Sequence, residues 1–197
     1  MTLLAIFAMA AAPRIQQQVL REREKEAIFR GEEVADAIRE YYLYRRSVTG
    51  APGDPSLPTS MDQLLEGIPV QGGSRNRQIL RPSAAMDPLS EDGEWRFIAP
   101  RGEALVQFQQ SVMVFASNQL PQPRNQQMQQ LQQLAAPQVV IISNLGTRPD
   151  RSSGSTAGDT SGGPFVGVAS KNTSKSVLTY YGIETHDGWI FTPLFRN

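Results

Sequence analysis

RIQQQVLREREKEAIFRGEEVADAIREYYLYRR, from Arg14 to Arg46, decides how the rest of the chain is read. It holds no proline and only one glycine, Gly31, and strong helix formers dominate it. Ala27/Ile28, Gly31, Val34/Ala35, Ile38 and Tyr41/Tyr42 recur at steps of three and four, which predicts a helix with one buried stripe. Arg21, Glu22, Arg23, Glu24, Lys25, Glu26, Glu32, Glu33, Asp36 and Arg39 fall outside that stripe and read as a solvated face. Glu26 with Arg30 and Glu22 with Lys25 are spaced to pair along it.

Upstream, Met1 to Pro13 is apolar, with Leu3, Leu4, Ile6, Phe7 and Met9 among alanines. Twelve helical residues rise only about 18 Å, short of the roughly 30 Å hydrocarbon core. Three readings compete: a cleaved secretory signal with Ala10-Ala11-Ala12 as its site but no basic region, a buried core helix, or a membrane helix that begins upstream. An apolar rod continuing into a charged amphipathic one suits a membrane-anchored stalk, with Pro13 as a kink in it.

Downstream of the turn-rich Gly50–Pro58, Ser60 and Gln63 form a capping-box pattern before a short helix at Met61–Glu66. Strand-like runs follow at Glu94–Ile98, Leu105–Phe115, Val139–Ser143, Phe165–Ala169, Val177–Tyr181 and Trp189–Thr192. Residues 107–138 are rich in glutamine, and Met128, Leu131, Leu134 and Ala135 fall at helical spacing within them. Residues 148–163 read as a flexible Ser/Gly loop. Trp95 and Trp189 read as core anchors.

Composition narrows the function classes. Nineteen basic and 19 acidic residues give zero net charge, which argues against a nucleic-acid partner. Without cysteine there is no disulfide framework, thiolate nucleophile or zinc finger. The one histidine, His186, makes His-cluster metal sites and most His-assisted hydrolysis unexpected. Gly158 to Pro164 resembles the nucleophile loop of chymotrypsin-like proteases. However, Thr160 separates Asp159 from Ser161, and the only histidine lies downstream of that serine rather than upstream. No Lys-Ser/Thr closes the glycines of 154–163 into a phosphate loop. Asp87, Glu91, Asp92 and Glu94 could together address calcium, but they lack the alternating spacing of an EF-hand, and a solvated turn is the expectation. His186-Asp187-Gly188 reads as a hairpin turn, and Asn172-Thr173-Ser174 matches a glycosylation sequon by composition. The expectation is a protein that is not an enzyme and holds no cofactor.

Pro13, then Arg21 to Gly31 and Ala35 to Tyr42, resemble the stalk of the pseudopilin-like proteins of bacterial type II secretion. The similarity resumes at Leu57–Leu65, Asp87-Pro88-Leu89, Glu94-Trp95, Phe165–Lys171 and Trp189–Phe191, in the family's order and over most of the chain. The resemblance implies an α+β subunit: a long N-terminal helix (1–46, with a membrane-anchor segment over 1–13 and an amphipathic stalk over 14–46) packed on a small antiparallel head (47–197). The Gln-rich stretch 107–138 and the loop 148–163 then stand as insertions. It further implies a non-enzymatic filament subunit, single-pass in the bacterial inner membrane with its head in the periplasm. Its partners would be other pseudopilin subunits, inner-membrane proteins of the secretion machinery, and lipid around the N-terminal helix. Leu3, Leu4, Ile6, Phe7, Met9 and Pro13 would serve membrane anchoring and filament packing, and Ile28, Val34 and Ile38 the helix–sheet contact. The family's leader, its processing glycine and the glutamate near the mature start have no match here, so the start of the helix is expected upstream of Met1. Major members bind calcium in a C-terminal loop, whose acidic residues also find no match. The alternative is a periplasmic or secreted binding module with a cleaved signal peptide at Met1–Ala12.

Overall fold

The computed structural model describes residues 2–70, 75–136 and 163–196, with side chains from Gln16 onward. The chain is mixed helix and small antiparallel sheet, in the α+β class, and is dominated by one helix, α1, over Thr2–Thr49. At 1.5 Å per residue α1 is about 72 Å long. The side chains of Leu3, Leu4, Ile6, Phe7, Met9 and Pro13 lie outside the described residues, as do Ser161 and the 139–143 run.

Three more helices follow: α2 (Met61–Glu66), α3 (Glu103–Phe115) and α4 (Gln126–Ala135). The strands are β1 (Ile68–Pro69), β2 (Asn76–Arg77), β3 (Arg96–Ile98), β4 (Gly167–Ala169), β5 (Lys175–Tyr180), β6 (Ile183–Thr185) and β7 (Ile190–Phe191). β4 is the centre of a three-stranded antiparallel sheet in the order β3-β4-β7, with Phe97 opposite Val168 and Val168 opposite Phe191. β1–β2 and β5–β6 form two separate antiparallel pairs. α1 lies across β4, β5 and β7. Its stripe of Ala27, Val34, Ala35, Ile38 and Tyr42 is buried in one core with Trp95, Phe165, Trp189, Phe191 and Leu194.

Three expectations need correction. Leu105–Phe115 is helical, not a strand, because Leu105, Phe108 and Val112 are the buried positions and their three- and four-residue spacing outweighs the β-branched content. The cap of α2 uses Thr59 in place of Ser60. Gln63 Oε1 accepts from the Thr59 amide at 3.0 Å and Gln63 Nε2 donates to Thr59 Oγ1 at 3.0 Å, while Ser60 makes no side-chain cap bond. His186-Asp187-Gly188 is a 3-10 turn joining two different sheets. The hairpin turn is Tyr181-Gly182, where both residues have positive φ, as a two-residue hairpin loop requires. Within the Gln-rich stretch, the helical spacing of Met128, Leu131, Leu134 and Ala135 falls in α4. In α4, Met128, Leu131 and Ala135 are buried, and Gln132 Nε2 donates to the Leu194 carbonyl at 2.8 Å and the Pro121 carbonyl at 2.9 Å.

Trp95 and Trp189 are both buried, and each spends its indole N–H on a carbonyl at 3.0 Å, of Ala84 and Ile183 respectively. This is how an aromatic with a polar handle is accommodated in a core.

Candidate functional site at the stalk–head junction

α1 changes character at Glu24. Before it, Gln16–Val19 and Arg21–Arg23 are exposed and Leu20 is half-buried; after it the helix is the spine of the head. Glu24 itself is completely buried, which contradicts its assignment to the solvated face. The reason is positional: Glu24 stands three residues before Ala27 and seven before Gly31, so it continues the buried stripe rather than the charged face.

Its carboxylate is enclosed by donors from the C-terminal region of the head. Oε1 accepts from the Val177 amide at 2.8 Å and Oε2 from the Leu178 amide at 2.8 Å. Consecutive amides of a regular strand point to opposite edges. Here both face one carboxylate, within the stretch where the β5–β6 register slips between Lys175 and Tyr180. The third donor is His186 Nε2, 2.9 Å from Oε1. A carboxylate accepts, so Nε2 carries the proton, and the buried Nδ1 has no partner among the described residues. The ring is held edge-on against Trp189, with centroids 5.2 Å apart and planes at 85°. The side chains of Glu24 and His186 are 0% and 1% exposed, so this pair reaches no solvent and no substrate. It is a clasp: one carboxylate fastens the β5–β6 hairpin and the turn after it to the helix.

Seven residues along, α1 crosses the sheet at its closest approach. A Cβ on Gly31 would lie 2.2 Å from Phe191 Cδ2 and 2.3 Å from Cγ, so only glycine admits the ring. Beyond this crossing Val34 and Ile38 are buried in the core, and Ile28 is partly buried against it.

A second tie runs along the exposed flank. Glu33 accepts from the Arg81 backbone amide at 3.1 Å and from Arg81 Nε at 2.9 and 3.0 Å, with Nη2 also on Oε2. Hydrogen bonding to Arg81 holds the Glu33 carboxyl below its ordinary range. The Arg81 guanidinium also lies over the Phe29 ring, 5.2 Å from its centre. Since Arg81 is half exposed, Arg81→Ala should lower the urea midpoint only slightly, and the loss should shrink in high salt.

The acidic turn does not converge as one site. Asp87 points inward, buried, and accepts from Ser170 Oγ at 2.6 Å and the Leu89 amide at 2.9 Å. Asp92 and Glu94 instead take Lys171 Nζ, at 2.8 and 2.7 Å. Among the described residues no three His, Asp or Glu side chains gather around a position a metal ion could take. The solvated-turn expectation therefore fails for Asp87: folding brings Ser170 and Leu89 over it. Burial, the largest cause, raises its carboxyl above the ordinary 3.8, partly offset by the Ser170 hydroxyl. A raised acid contributes stability that is present below pH 3.8 and is lost as pH rises through the folded value. Urea midpoints taken upward from pH 3.8 should thus fall for the native chain relative to Asp87→Asn, which carries no such titration; parallel curves would refute this.

Comparison with protein-family profiles, curated proteins and solved structures returned no match.

Proposed function

We propose that the chain is a non-enzymatic, pilin-like structural subunit of a type II secretion or type IV pilus-like filament. Its N-terminal helix is anchored in the inner membrane, and its head lies in the periplasm. The observation that supports this reading best is the division of α1. A single 48-residue helix is the spine of a small α+β head in its second half. Its described residues before Glu24 are almost all exposed and free to meet other molecules. A helix of this kind can bury an apolar end in lipid or among neighbouring helices while a polar head stays in water. The sealed Glu24–His186 pair suits a scaffold, since chemistry needs a group that a substrate can touch. Among the described residues no helix is long and apolar enough to cross a membrane, so anchoring is the element of the reading to test first.

The absence of cysteine makes that test clean. Val19, exposed on the helix, is replaced by Cys and the gene is expressed with its native upstream codons. The protein should sediment with membranes, and oxidation should link Val19→Cys into dimers, with further copies held to them under a lysine crosslinker. A soluble, monomeric product that yields neither would overturn the proposal, and a mature N-terminus at Pro13 would favour a secreted binding module instead.

A further inference from the structure

A cleft of about 350 Å³ opens between α1, the start of α4 and the C-terminal Pro193–Phe195 turn. Three arginines line it: Arg39 from α1, Arg124 just before α4, and Arg196 just after the turn. One carboxylate, Asp36, sits among them, and Leu43, Met128 and Pro193 supply an apolar wall.

The donors of this cleft outnumber its acceptors. Each guanidinium carries five N–H groups. Asp36 Oδ1 is shared between Arg39 Nη1 and Arg196 Nη1, 3.3 Å from each, both longer than a charge-assisted bond of about 2.7–2.9 Å. Arg196 also donates to the Glu32 carbonyl at 3.1 Å and lies 3.7 Å from the Glu32 carboxylate. Arg124 is exposed and enters no ion pair among the described residues. Among the described residues, three positive groups against Asp36 and Glu32 leave one positive charge unbalanced, in a chain whose net charge is zero. A guanidinium fork matches the planar oxygens of a carboxylate, and the apolar wall opposite has no use for a fully hydrated ion.

We propose that this cleft binds a small organic acid, its carboxylate on Arg39, Arg124 and Arg196 and its apolar body on the Leu43–Met128–Pro193 wall. Asp36 is then an internal competitor, holding donors that the ligand would use. That gives the proposal a sign: removing the competitor should tighten the ligand. The inference does not depend on the filament reading.

The test uses the whole chain, following arginine Nε–H signals by NMR as benzoate, benzamide or inorganic phosphate is added. Benzoate should bind saturably, with a Kd on the order of 1 mM, shifting Arg39, Arg124 and Arg196 together. Benzamide, which lacks the charge, should not bind, and phosphate, which lacks the apolar body, should bind about tenfold more weakly. Asp36→Asn should tighten benzoate several-fold and Arg124→Glu should weaken it about tenfold; both positions are solvent-accessible, and an unchanged Tm verifies the fold. Shifts that rise linearly without saturating, equal binding of phosphate or benzamide, or indifference to Arg124→Glu would each overturn it.

Discussion

Replacing Glu24 by alanine is expected to destabilise the chain by about 3–5 kcal/mol, the cost of breaking a buried charged hydrogen-bond network by removing one partner. Three donors lose their acceptor at once: the Val177 and Leu178 amides and His186 Nε2. The Glu24 carboxylate and the His186 ring are both sealed from solvent, so water does not readily replace the lost acceptor. Domains of this size are stable by only about 5–15 kcal/mol, so the variant should unfold at a much lower urea midpoint. The hairpin β5–β6 should loosen first, because it forms its own two-stranded pair outside the main sheet and α1 is what it packs on. Hydrogen exchange at Val177 and Leu178 should therefore accelerate more than at Val168, in the central strand. Glu24→Gln keeps one acceptor oxygen but brings an NH₂ against donors, and it should recover only some of the loss. His186→Ala alone should cost less than Glu24→Ala, since both backbone amides keep their carboxylate. The double variant should cost clearly less than the sum of the two, as expected for residues that share one network. Additive costs would mean that the three donors do not act through Glu24.

The second large effect is expected at Gly31. In most helices Gly to Ala stabilises by up to about 1 kcal/mol. Here the added methyl group would lie 2.2 Å from a carbon of the Phe191 ring, which is itself 1% exposed and hemmed in by Trp95 and Tyr180. Overpacking of this kind costs about 1–3 kcal/mol or more, and a rigid buried ring cannot swing aside as a flexible chain end would. Gly31→Ala should therefore be destabilising by about 2–3 kcal/mol despite its better helix propensity, read as a fall in Tm of roughly 5–10 °C. Phe191→Leu alone should also destabilise, through lost packing, but combined with Gly31→Ala it should return some of the loss because the smaller side chain vacates the clash. A Gly31→Ala variant at least as stable as the native chain would show that helix and sheet can separate there, and that Gly31 is retained for some other reason.

These two positions also mark how far the residues could be read without a structure. The helix, its stripe and its two ion pairs at Glu22–Lys25 and Glu26–Arg30 are local properties, and each follows from spacing along one element. The buried place of Glu24 was within reach by the same spacing, three residues before Ala27, but a carboxylate amid charges reads as solvated until its partners are known. Those partners stand more than 150 positions away, at Val177, Leu178 and His186, and no periodicity connects them to it. Two of them are backbone amides, which every residue except proline possesses, so their side chains carried no signal at all. His186 did carry one, as the only imidazole, yet its role as a donor to Glu24 depends on a 3-10 turn where Asp-Gly suggested a hairpin.

Local order was therefore determined by the sequence alone: a long amphipathic helix, a following region of short strands and turns, and no thiol or histidine-cluster chemistry. Short segments with mixed propensity were decided by tertiary contact, because a run such as Leu105–Phe115 satisfies strand composition and helix periodicity at once and takes the form that buries Leu105, Phe108 and Val112 together. Charge followed the same division. Which residues are charged is written in the chain; which of them are solvated is not, since Glu24 and Asp87 are buried only where distant segments bring donors to meet them. A carboxylate can leave water only if the fold supplies equivalent hydrogen bonds, and supplying them is a property of the assembled head.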